Sequence, residues 1–286
     1  MNMRNSPGEV VVPAGACTVG DMEATPDLTS YDIILVNTSA GKDSQAMMDH
    51  LYDLAAEAGV TDRLVAVHAD LGRVEWEGTR ELAEAHAAAY GMPFYAVSRP
   101  QGDLLVQVEA RGMWPSSQAR YCTSDQKTGQ VSKVMTALVK AFQEEHGKRQ
   151  VRILNTLGIR AQESPARAKK AAFEHEKRAS NGKRHVDRWL PIHAWSEDEV
   201  WARCATARTE THPAYAMGMP RLSCSFCVLA SKPALVRAAQ LRPELAAEYA
   251  AVEARIGHTF RQDLSMATII ELAAEGTAVT ITGWAA

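Results

Sequence analysis

The chain has 286 residues, of which 46% are hydrophobic and 23% charged, with a formal net charge of −3. These values are ordinary for a globular protein with a full core, and the length suits one large α/β domain with an appendage or two modest domains. A slightly acidic chain has no overall cationic field, so binding to nucleic acid would need a local basic patch or a partner. No apolar run reaches the ~18 residues of a membrane span and no signal peptide is recognisable, which predicts a cytoplasmic protein without a membrane partner.

Two patterns alternate along the chain, short apolar runs and longer stretches of helical periodicity. Residues 1–30 precede this alternation and, with scattered Pro, Gly and Ser, are predicted to form an irregular arm. The alternation itself predicts βαβ units that build a mainly parallel sheet. The expected strands are 32–37, 63–69, 93–97 and 151–157, and the expected helices are 47–58, 77–89 and 132–145.

Basic side chains gather in the segment 160–188, which we predict to be a mobile, solvated loop region. Such a loop would become ordered, or bind a phosphate backbone, when substrate is present. From residue 191 onward the chain is predicted to be helical with loops. The basic residues of the segment include Lys169, Lys170, Lys177, Arg178, Lys183 and Arg184.

The most specific motif lies between the first strand and the first long helix. Small residues at such a junction leave backbone N–H groups free to bind a pyrophosphate at the helix N-terminus, and Gly41 allows a close approach. Lys42 would bring a mobile cation to the charge that develops on the leaving pyrophosphate. Asp43 and Ser44 would cap the helix or help to hold Mg²⁺. The alternative is an ordinary polar turn with a cap. The motif reads Ser39, Ala40, Gly41, Lys42, Asp43, Ser44, which lacks the spacing of a Walker loop.

This motif resembles the SGGKDS signature of the PP-loop ATP pyrophosphatases, with Ala40 in place of one glycine. Further segments, in order from about residue 32 to 232, resemble the phosphoadenylyl-sulfate reductase-like branch of that superfamily. They are His68-Ala69-Asp70-Leu71-Gly72 with Glu75; Arg120, Cys122 and Lys127; Gly158, Arg160, Glu163, Ser164 and Arg167; Pro191-Ile192 with Glu199-Val200-Trp201; and His212-Pro213-Ala214-Tyr215.

The resemblance implies an α/β fold with a parallel sheet of five strands or slightly more, of the adenine nucleotide α-hydrolase-like type. The PP-loop domain would span residues 31–215, and a helical, cysteine-bearing region would span residues 216–286. It also implies an enzyme that binds ATP and Mg²⁺ and splits ATP to AMP and pyrophosphate, with Lys42, Asp43 and Arg160 as catalytic residues. The implied nucleotide-binding residues are Ser39, Ala40, Gly41, Lys42, Asp43, Ser44, His68, Asp70, Gly158, Arg160, Glu163 and Arg167.

Five cysteines without a secretory signal argue against a disulfide framework and favour metal binding or reactivity. Cys122 and the pair Cys224 and Cys227 resemble the cluster ligands of adenylyl-sulfate reductases and ATP-dependent thiolation enzymes. This likeness implies a three-cysteine [4Fe–4S] cluster with one open iron, with a zinc knuckle at the C-x-x-C as the alternative. Cys204 is either a fourth ligand or, on its helical face, part of the core. Cys17 is left unassigned.

Three functions are compatible with these features, and the first is favoured. The first is ATP-dependent sulfur insertion into DNA or tRNA, with a cysteine desulfurase as sulfur donor, as a resemblance to DNA-phosphorothioation sulfurtransferases and tRNA thiolation enzymes implies. The second is reduction of adenylyl sulfate or its 3′-phosphate, which in this family uses a cysteine on a C-terminal tail; no cysteine follows Cys227 here. The complete Lys-Asp-Ser of the loop also favours ATP cleavage. The third is a non-catalytic nucleotide- and zinc-binding subunit. A homo-oligomer and a multi-protein complex are both compatible with these functions.

Overall fold

The computed structural model of the chain describes residues 25–276. Most of the expected N-terminal arm, including Cys17, lies outside the described residues, as does the end of the expected C-terminal region. Among the described helices, none combines the length and the apolar character that crossing a membrane requires.

A six-stranded, mostly parallel sheet forms the centre of the molecule, in the order β3-β2-β1-β4-β6-β5. The first five strands in that order are parallel, and β5 runs antiparallel to β6. The expected class of fold is therefore confirmed, with a sheet slightly larger than five strands. The strands are β1 (Ile33–Thr38), β2 (Leu64–Ala69), β3 (Phe94–Val97), β4 (Val151–Thr156), β5 (Phe173–His175) and β6 (Arg184–Trp189).

Helices connect most of the strands, and further helices come after the last strand in the chain. A π-helical turn (Ser124–Thr128) lies between the short helix Tyr121–Thr123 and the long helix that begins at Gly129. The helix that follows β1 begins at Lys42, so the loop of small residues lies at its N-terminus. The helices are α1 (Lys42–Glu57), α2 (Thr79–Ala89), α3 (Leu104–Arg111), α4 (Tyr121–Thr123), α5 (Gly129–His146), α6 (Pro165–Ala168), α7 (Glu197–Thr206), α8 (Lys232–Leu241), α9 (Pro243–Ile256) and α10 (Met266–Ala274).

Both faces of the sheet are covered, which explains why β1 is an unbroken apolar run rather than an alternating one. Ile34 and Val36 share a core with α1 and α7, while Ile33 and Leu35 share a core with α5. Cys204 belongs to the α1–α7 core and is 5% exposed, which confirms the packing interpretation of that residue.

A third core joins the C-terminal helices α8, α9 and α10 to α3 and to the loops around Trp76 and Trp114. The indole of Trp114 stacks on the ring of Tyr249, with the centroids 5.3 Å apart. Residues on both sides of position 215 therefore pack together. The division of the chain into a PP-loop domain and a C-terminal region at that position stays a prediction.

The basic segment contains two strands of the sheet, so its description as a mobile, solvated loop was wrong. Arg184 is only 6% exposed, and its guanidinium donates to the carbonyl of Ala179 (2.7 Å) and to the hydroxyl of Ser132 (3.0 Å). Charged residues interrupt the apolar positions of β6, and β5 is a short edge strand whose three residues are all exposed. Neither strand therefore shows the apolar run that revealed the others.

Candidate nucleotide-binding site

An open cavity of about 1240 Å³ lies at the carboxyl ends of β1, β2 and β4. This edge is where open α/β sheets bind ligands, because the loops that follow neighbouring parallel strands meet there. The cavity brings together the loops that follow the three strands, the region of α4 and α5, the β5–β6 hairpin and the segment before Cys224. Its lining includes Asn37, Ser39, Gly41, Asp43, Ser44, His68, Glu75, Arg120, Lys127, Gly158, Glu163, Arg167, Lys170, Tyr215, Arg221 and Cys224.

Hydrogen bonds with its own side chains and with a tyrosine in a distant turn fix the conformation of the loop after β1. The backbone N–H of Ser39 donates to the Ser44 hydroxyl (3.1 Å), which in turn donates to the Gly41 carbonyl (2.9 Å). The backbone N–H of Lys42 donates to the Tyr215 hydroxyl (2.8 Å). Ala40, where the signature has glycine, is fully buried and adopts the left-handed region with φ of 55°. The sequence therefore keeps the glycine-type backbone with an alanine in its place.

Gly158, just after β4, lies against the backbone of this loop. A Cβ atom at Gly158 would come within 2.8 Å of the Asp43 carbonyl oxygen and 3.0 Å of the Ser44 nitrogen. Only a residue without a side chain fits this approach, since contacts under 3.0 Å require the backbone to shift. Gly158 thus sets the distance between two walls of the cavity.

We expect Gly158→Ala to lower the free energy of unfolding by about 1–3 kcal/mol, the usual cost of overpacking, and to weaken nucleotide binding. Gly182→Ala is the matched control, because a Cβ there meets nothing within 4 Å. Its effect should stay within about 0.5 kcal/mol. Urea denaturation and nucleotide titration calorimetry measure both quantities. Equal behaviour of the two variants would contradict this role for Gly158.

Asp43 lines the cavity, and its carboxylate is bound by two buried cations. Arg160 donates from Nε to Asp43 Oδ1 (2.5 Å), and Lys42 Nζ lies 3.2 Å from Asp43 Oδ2. Arg160 is 2% exposed and also donates to the Gln162 side chain (2.7 Å).

Lys42 is 1% exposed rather than an exposed loop lysine. Its ammonium also lies 3.3 Å from Glu197 on α7 and 5.9 Å from the Trp201 ring centroid. The mobile cation that the sequence suggested is instead fixed, because α7 packs over the start of α1.

His68 is buried at the end of β2, and an oxygen atom lies within hydrogen-bond distance of each of its ring nitrogens. Nδ1 lies 3.0 Å from the Thr38 carbonyl and Nε2 lies 3.1 Å from Glu75. Burial alone would lower the pKa of His68, but the hydrogen bond and charge of Glu75 outweigh it and raise the pKa above its ordinary value. Asp70 instead accepts from the Gly72 N–H (2.8 Å) and pairs with Arg80. Its carboxylate stabilises the turn after β2 and is absent from the cavity lining.

The predicted site residues thus divide into two groups. Ser39, Gly41, Asp43, Ser44, His68, Gly158, Glu163 and Arg167 line the cavity, whereas Ala40, Lys42, Asp70 and Arg160 support it from behind or beside it. Sequence reasoning did not assign site roles to Lys127, Tyr215, Glu197 or Arg221, and it assigned Lys170 only to the basic segment expected to bind a phosphate backbone. Tyr215 lay in a recognised motif, but its contact with the loop depends on folding across more than 170 residues.

The cysteine loop 224–227 is anchored beside the cavity. The Phe226 ring is 1% exposed and packs against Tyr249 with centroids 5.0 Å apart, and the Ser225 N–H donates to the Val74 carbonyl (2.8 Å). Cys224 lines the cavity, and burial, with lesser contributions from neighbouring thiols, raises its pKa to about 12. Burial also raises the pKa of Cys122, and the charge of Cys227 adds to this effect.

The three sulfur atoms of Cys122, Cys224 and Cys227 do not all lie within 4.8 Å of one another in the described structure. Tetrahedral ligation of one zinc ion, with bonds of about 2.3 Å, places sulfur atoms roughly 3.8 Å apart. One zinc ion bound by all three thiolates therefore fits this arrangement poorly. The soft donor set itself suits a larger iron–sulfur group.

A family model for the phosphoadenosine phosphosulfate reductase domain matches residues 33–230 of the chain. The matched region contains the whole sheet, the cavity and the three cysteines near it. The chain belongs to this family, which is of the PP-loop, adenine nucleotide α-hydrolase-like class, and the recognition of that class from the motifs is confirmed. The domain is a nucleotide-binding one.

Other similarities are more distant. An uncharacterized 37.8 kDa protein of Escherichia phage 186 is 30% identical over 135 residues, which are 47% of this chain and 37% of the phage protein. Two solved structures are similar to this chain at low identity. The FMN adenylyltransferase of Candida glabrata, in complex with FAD and inorganic pyrophosphate, has a TM-score of 0.44 at 13% identity and covers 67% of this chain and 54% of its own. The phosphoadenylyl-sulfate reductase of Candida auris, as a phosphate complex, has a TM-score of 0.43 at 14% identity, with 70% and 88% covered.

Proposed function

We propose that this protein is an ATP pyrophosphatase that activates a nucleic-acid substrate for sulfur insertion. The observation that carries the proposal is Asp43, which lines the cavity at the N-terminus of α1 and whose carboxylate is held by Lys42 and Arg160. The first turn of a helix leaves N–H groups without intrahelical partners, and these groups favour phosphate oxygens. The β- and γ-phosphates of ATP would bind at this loop.

The charge of the cavity supports a polyanionic ligand. Its walls carry more basic than acidic side chains, and guanidinium groups match phosphate oxygens well. These groups would stabilise the charge that develops on pyrophosphate as it leaves. The basic side chains of the lining are Arg120, Lys127, Arg167, Lys170, Lys177, Arg178, Arg188 and Arg221, and the acidic ones are Asp43, Glu75, Glu163, Glu174 and Glu176.

Mg²⁺ fits the donor set at the loop. Each Asp43 oxygen has one bond to a protein cation and keeps a further lone pair, and magnesium is commonly bound by one or two carboxylates together with substrate phosphates. When bound, the ion would neutralise charge on the phosphates. Asp43 would position the nucleotide, while Lys42 and Arg160 keep the carboxylate in place.

The chemistry would proceed in three displacements. An oxygen of the acceptor attacks the α-phosphorus of ATP, the bond to the bridging oxygen breaks, and pyrophosphate leaves with that electron pair. A cysteine desulfurase partner supplies sulfur as a persulfide, whose outer sulfur attacks the activated centre of the acceptor, and AMP leaves with the electron pair of the broken bond. A second thiol then attacks the inner sulfur of the resulting disulfide, so that the acceptor keeps one sulfur and the two thiols leave as a disulfide. Cys224 lines the same cavity as Asp43, which supports delivery of sulfur close to the activated substrate.

An iron–sulfur cluster on Cys122, Cys224 and Cys227 would hold that sulfur. We expect anaerobically purified protein to be brown and to contain about four irons and four sulfides per chain. Substitution of any of the three cysteines by serine should remove most of the iron, whereas Cys17→Ser should retain it. Iron and sulfide analysis with the visible spectrum measures this. Colourless protein with one zinc ion and no iron would contradict the cluster and make the C-x-x-C a structural site.

Reduction of phosphoadenylyl sulfate is the second candidate function, and membership of the reductase domain family favours it. Incubation with phosphoadenylyl sulfate and a dithiol reductant, followed by sulfite analysis, tests it. A parallel incubation with ATP and Mg²⁺ tests the preferred function. Sulfite without any cleavage of ATP would replace the proposed function by this one.

A further inference from the structure

Two imidazoles and a carboxylate converge on one face of the β5–β6 hairpin. His185 and Asp187 are two residues apart on β6, so their side chains share a face, and His175 is paired with Asp187 across the two strands. The candidate ligand atoms of the three residues lie within 4.8 Å of one another. This convergence follows from strand register, and one of its three residues, His175, also lines the nucleotide cavity.

We propose that His175, His185 and Asp187 bind a divalent transition-metal ion, with zinc as the first candidate. His175 Nδ1 lies 3.1 Å and His185 Nε2 lies 2.9 Å from the same oxygen, Asp187 Oδ1. Tetrahedral ligation with bonds of about 2.1 Å requires ligand atoms roughly 3.4 Å apart. Small side-chain movements would therefore admit the ion. Imidazole and carboxylate donors suit zinc and its neighbours in the first transition row.

The surroundings orient the ligands as metal sites usually do. The Tyr31 hydroxyl donates to Asp187 Oδ2 (2.9 Å), so the other oxygen is left to face the two histidines. The imidazole rings stack with centroids 4.3 Å apart. Arg152 lies on the Oδ2 side, 3.8 Å away, and its half-exposed guanidinium is screened by solvent. Three protein ligands would leave a coordination position for water or a substrate atom.

The consequence concerns the rim of the cavity. His175 ends β5, the edge strand, and Glu174, His175 and Glu176 all line the cavity. Glu176 also accepts from the Asn155 side chain (2.9 Å). An ion shared by β5 and β6 would hold this rim to the sheet. Its role therefore differs from that of a group on the cysteines.

Zinc titration of chelator-treated protein tests the site through His175→Gln and His185→Gln. Glutamine can still donate to Asp187, so it preserves a merely structural hydrogen bond but does not replace a metal-binding imidazole. We expect each variant to lose one zinc ion per chain, or to bind it at least about 10-fold more weakly. His146→Gln, at a half-exposed histidine on α5, is the matched control and should bind as the parent does.

A second measurement keeps the test decisive if a glutamine variant folds poorly. Long-range ¹H–¹⁵N spectra of the parent report each imidazole separately, whatever zinc the cysteines take. The ring signals of His175 and His185 should shift together on addition of zinc, while those of His146 stay in place. Ring signals of His175 and His185 that stay unchanged at saturating zinc, or glutamine variants that bind as many ions as tightly as the parent, would overturn the proposal.

Discussion

Replacing Lys42 with methionine is expected to slow pyrophosphate release by about 10²-fold, because Asp43 loses one of the two cations that hold it in position for the nucleotide. The free energy of unfolding should also fall, by about 1–3 kcal/mol, because the buried ammonium pairs with Asp43 and Glu197. Asp43 would keep Arg160, and Glu197 is half-exposed and can turn to solvent, which limits the loss. A pyrophosphate-release assay and urea denaturation measure the two effects.

Lys140→Met is the matched control for this substitution. Lys140 is 78% exposed and lies 3.7 Å from Glu144 one helical turn away, so its loss should change stability by less than about 0.5 kcal/mol and leave activity unchanged. A folded Lys42→Met protein that releases pyrophosphate at the parent rate would contradict the role of Lys42 in positioning Asp43. A variant with parent stability would contradict the buried ion pair.

Arg160→Ala is expected to have the largest effect on stability, about 3–5 kcal/mol, which is typical of removing one partner from a buried ion pair. The guanidinium is 2% exposed and holds both Asp43 and Gln162, so its removal leaves the Asp43 carboxylate with Lys42 alone on its buried side. Nucleotide binding should be lost as well. Arg160→Lys should restore little, because an ammonium does not reproduce the guanidinium fork.

The exposed pair Arg149 and Asp32 provides the comparison. It has the same chemistry and a similar distance (2.5 Å), but the arginine side chain is 50% exposed. Arg149→Ala should therefore cost at most about 1 kcal/mol. Thermal and urea denaturation of both variants test the difference that burial makes. Similar losses in the two variants would contradict a structural role of Arg160 that depends on burial.

The parallel core of the fold could be predicted from the sequence because β1, β2 and β4 are buried on both faces and appear as apolar runs. The strand β6 carries Arg184, Asp187 and Arg188, and its charges concealed it. Here the buried polar groups make bonds that no local pattern reveals, such as that of Tyr31 to Asp187 across more than 150 residues. The structure of β6 therefore depends on contacts with residues that are distant in the sequence.

In the candidate site, too, some features could be predicted from the sequence and others depend on tertiary contacts. The resemblance implied that Gly158 and Asp43 both bind the nucleotide, and the fold brings them together because the loops after parallel strands meet at one edge. The resemblance did not reveal that Lys42 and Arg160 lie behind Asp43, because that arrangement depends on how α7 packs over α1. The side chain at a helix start can face the ligand or the core, and the sequence alone does not distinguish the two.

The bond of ATP that is cut distinguishes the proposed function most directly from its alternatives. Purified protein, loaded with iron and sulfide, would be incubated with Mg²⁺ and labelled ATP across candidate DNA and tRNA acceptors, and the products separated by chromatography. Cleavage next to the α-phosphorus predicts AMP and pyrophosphate in equal amounts, at a rate that rises when the correct acceptor is present. Release of ADP and phosphate, or unchanged ATP with every acceptor, would contradict an ATP pyrophosphatase acting on nucleic acid.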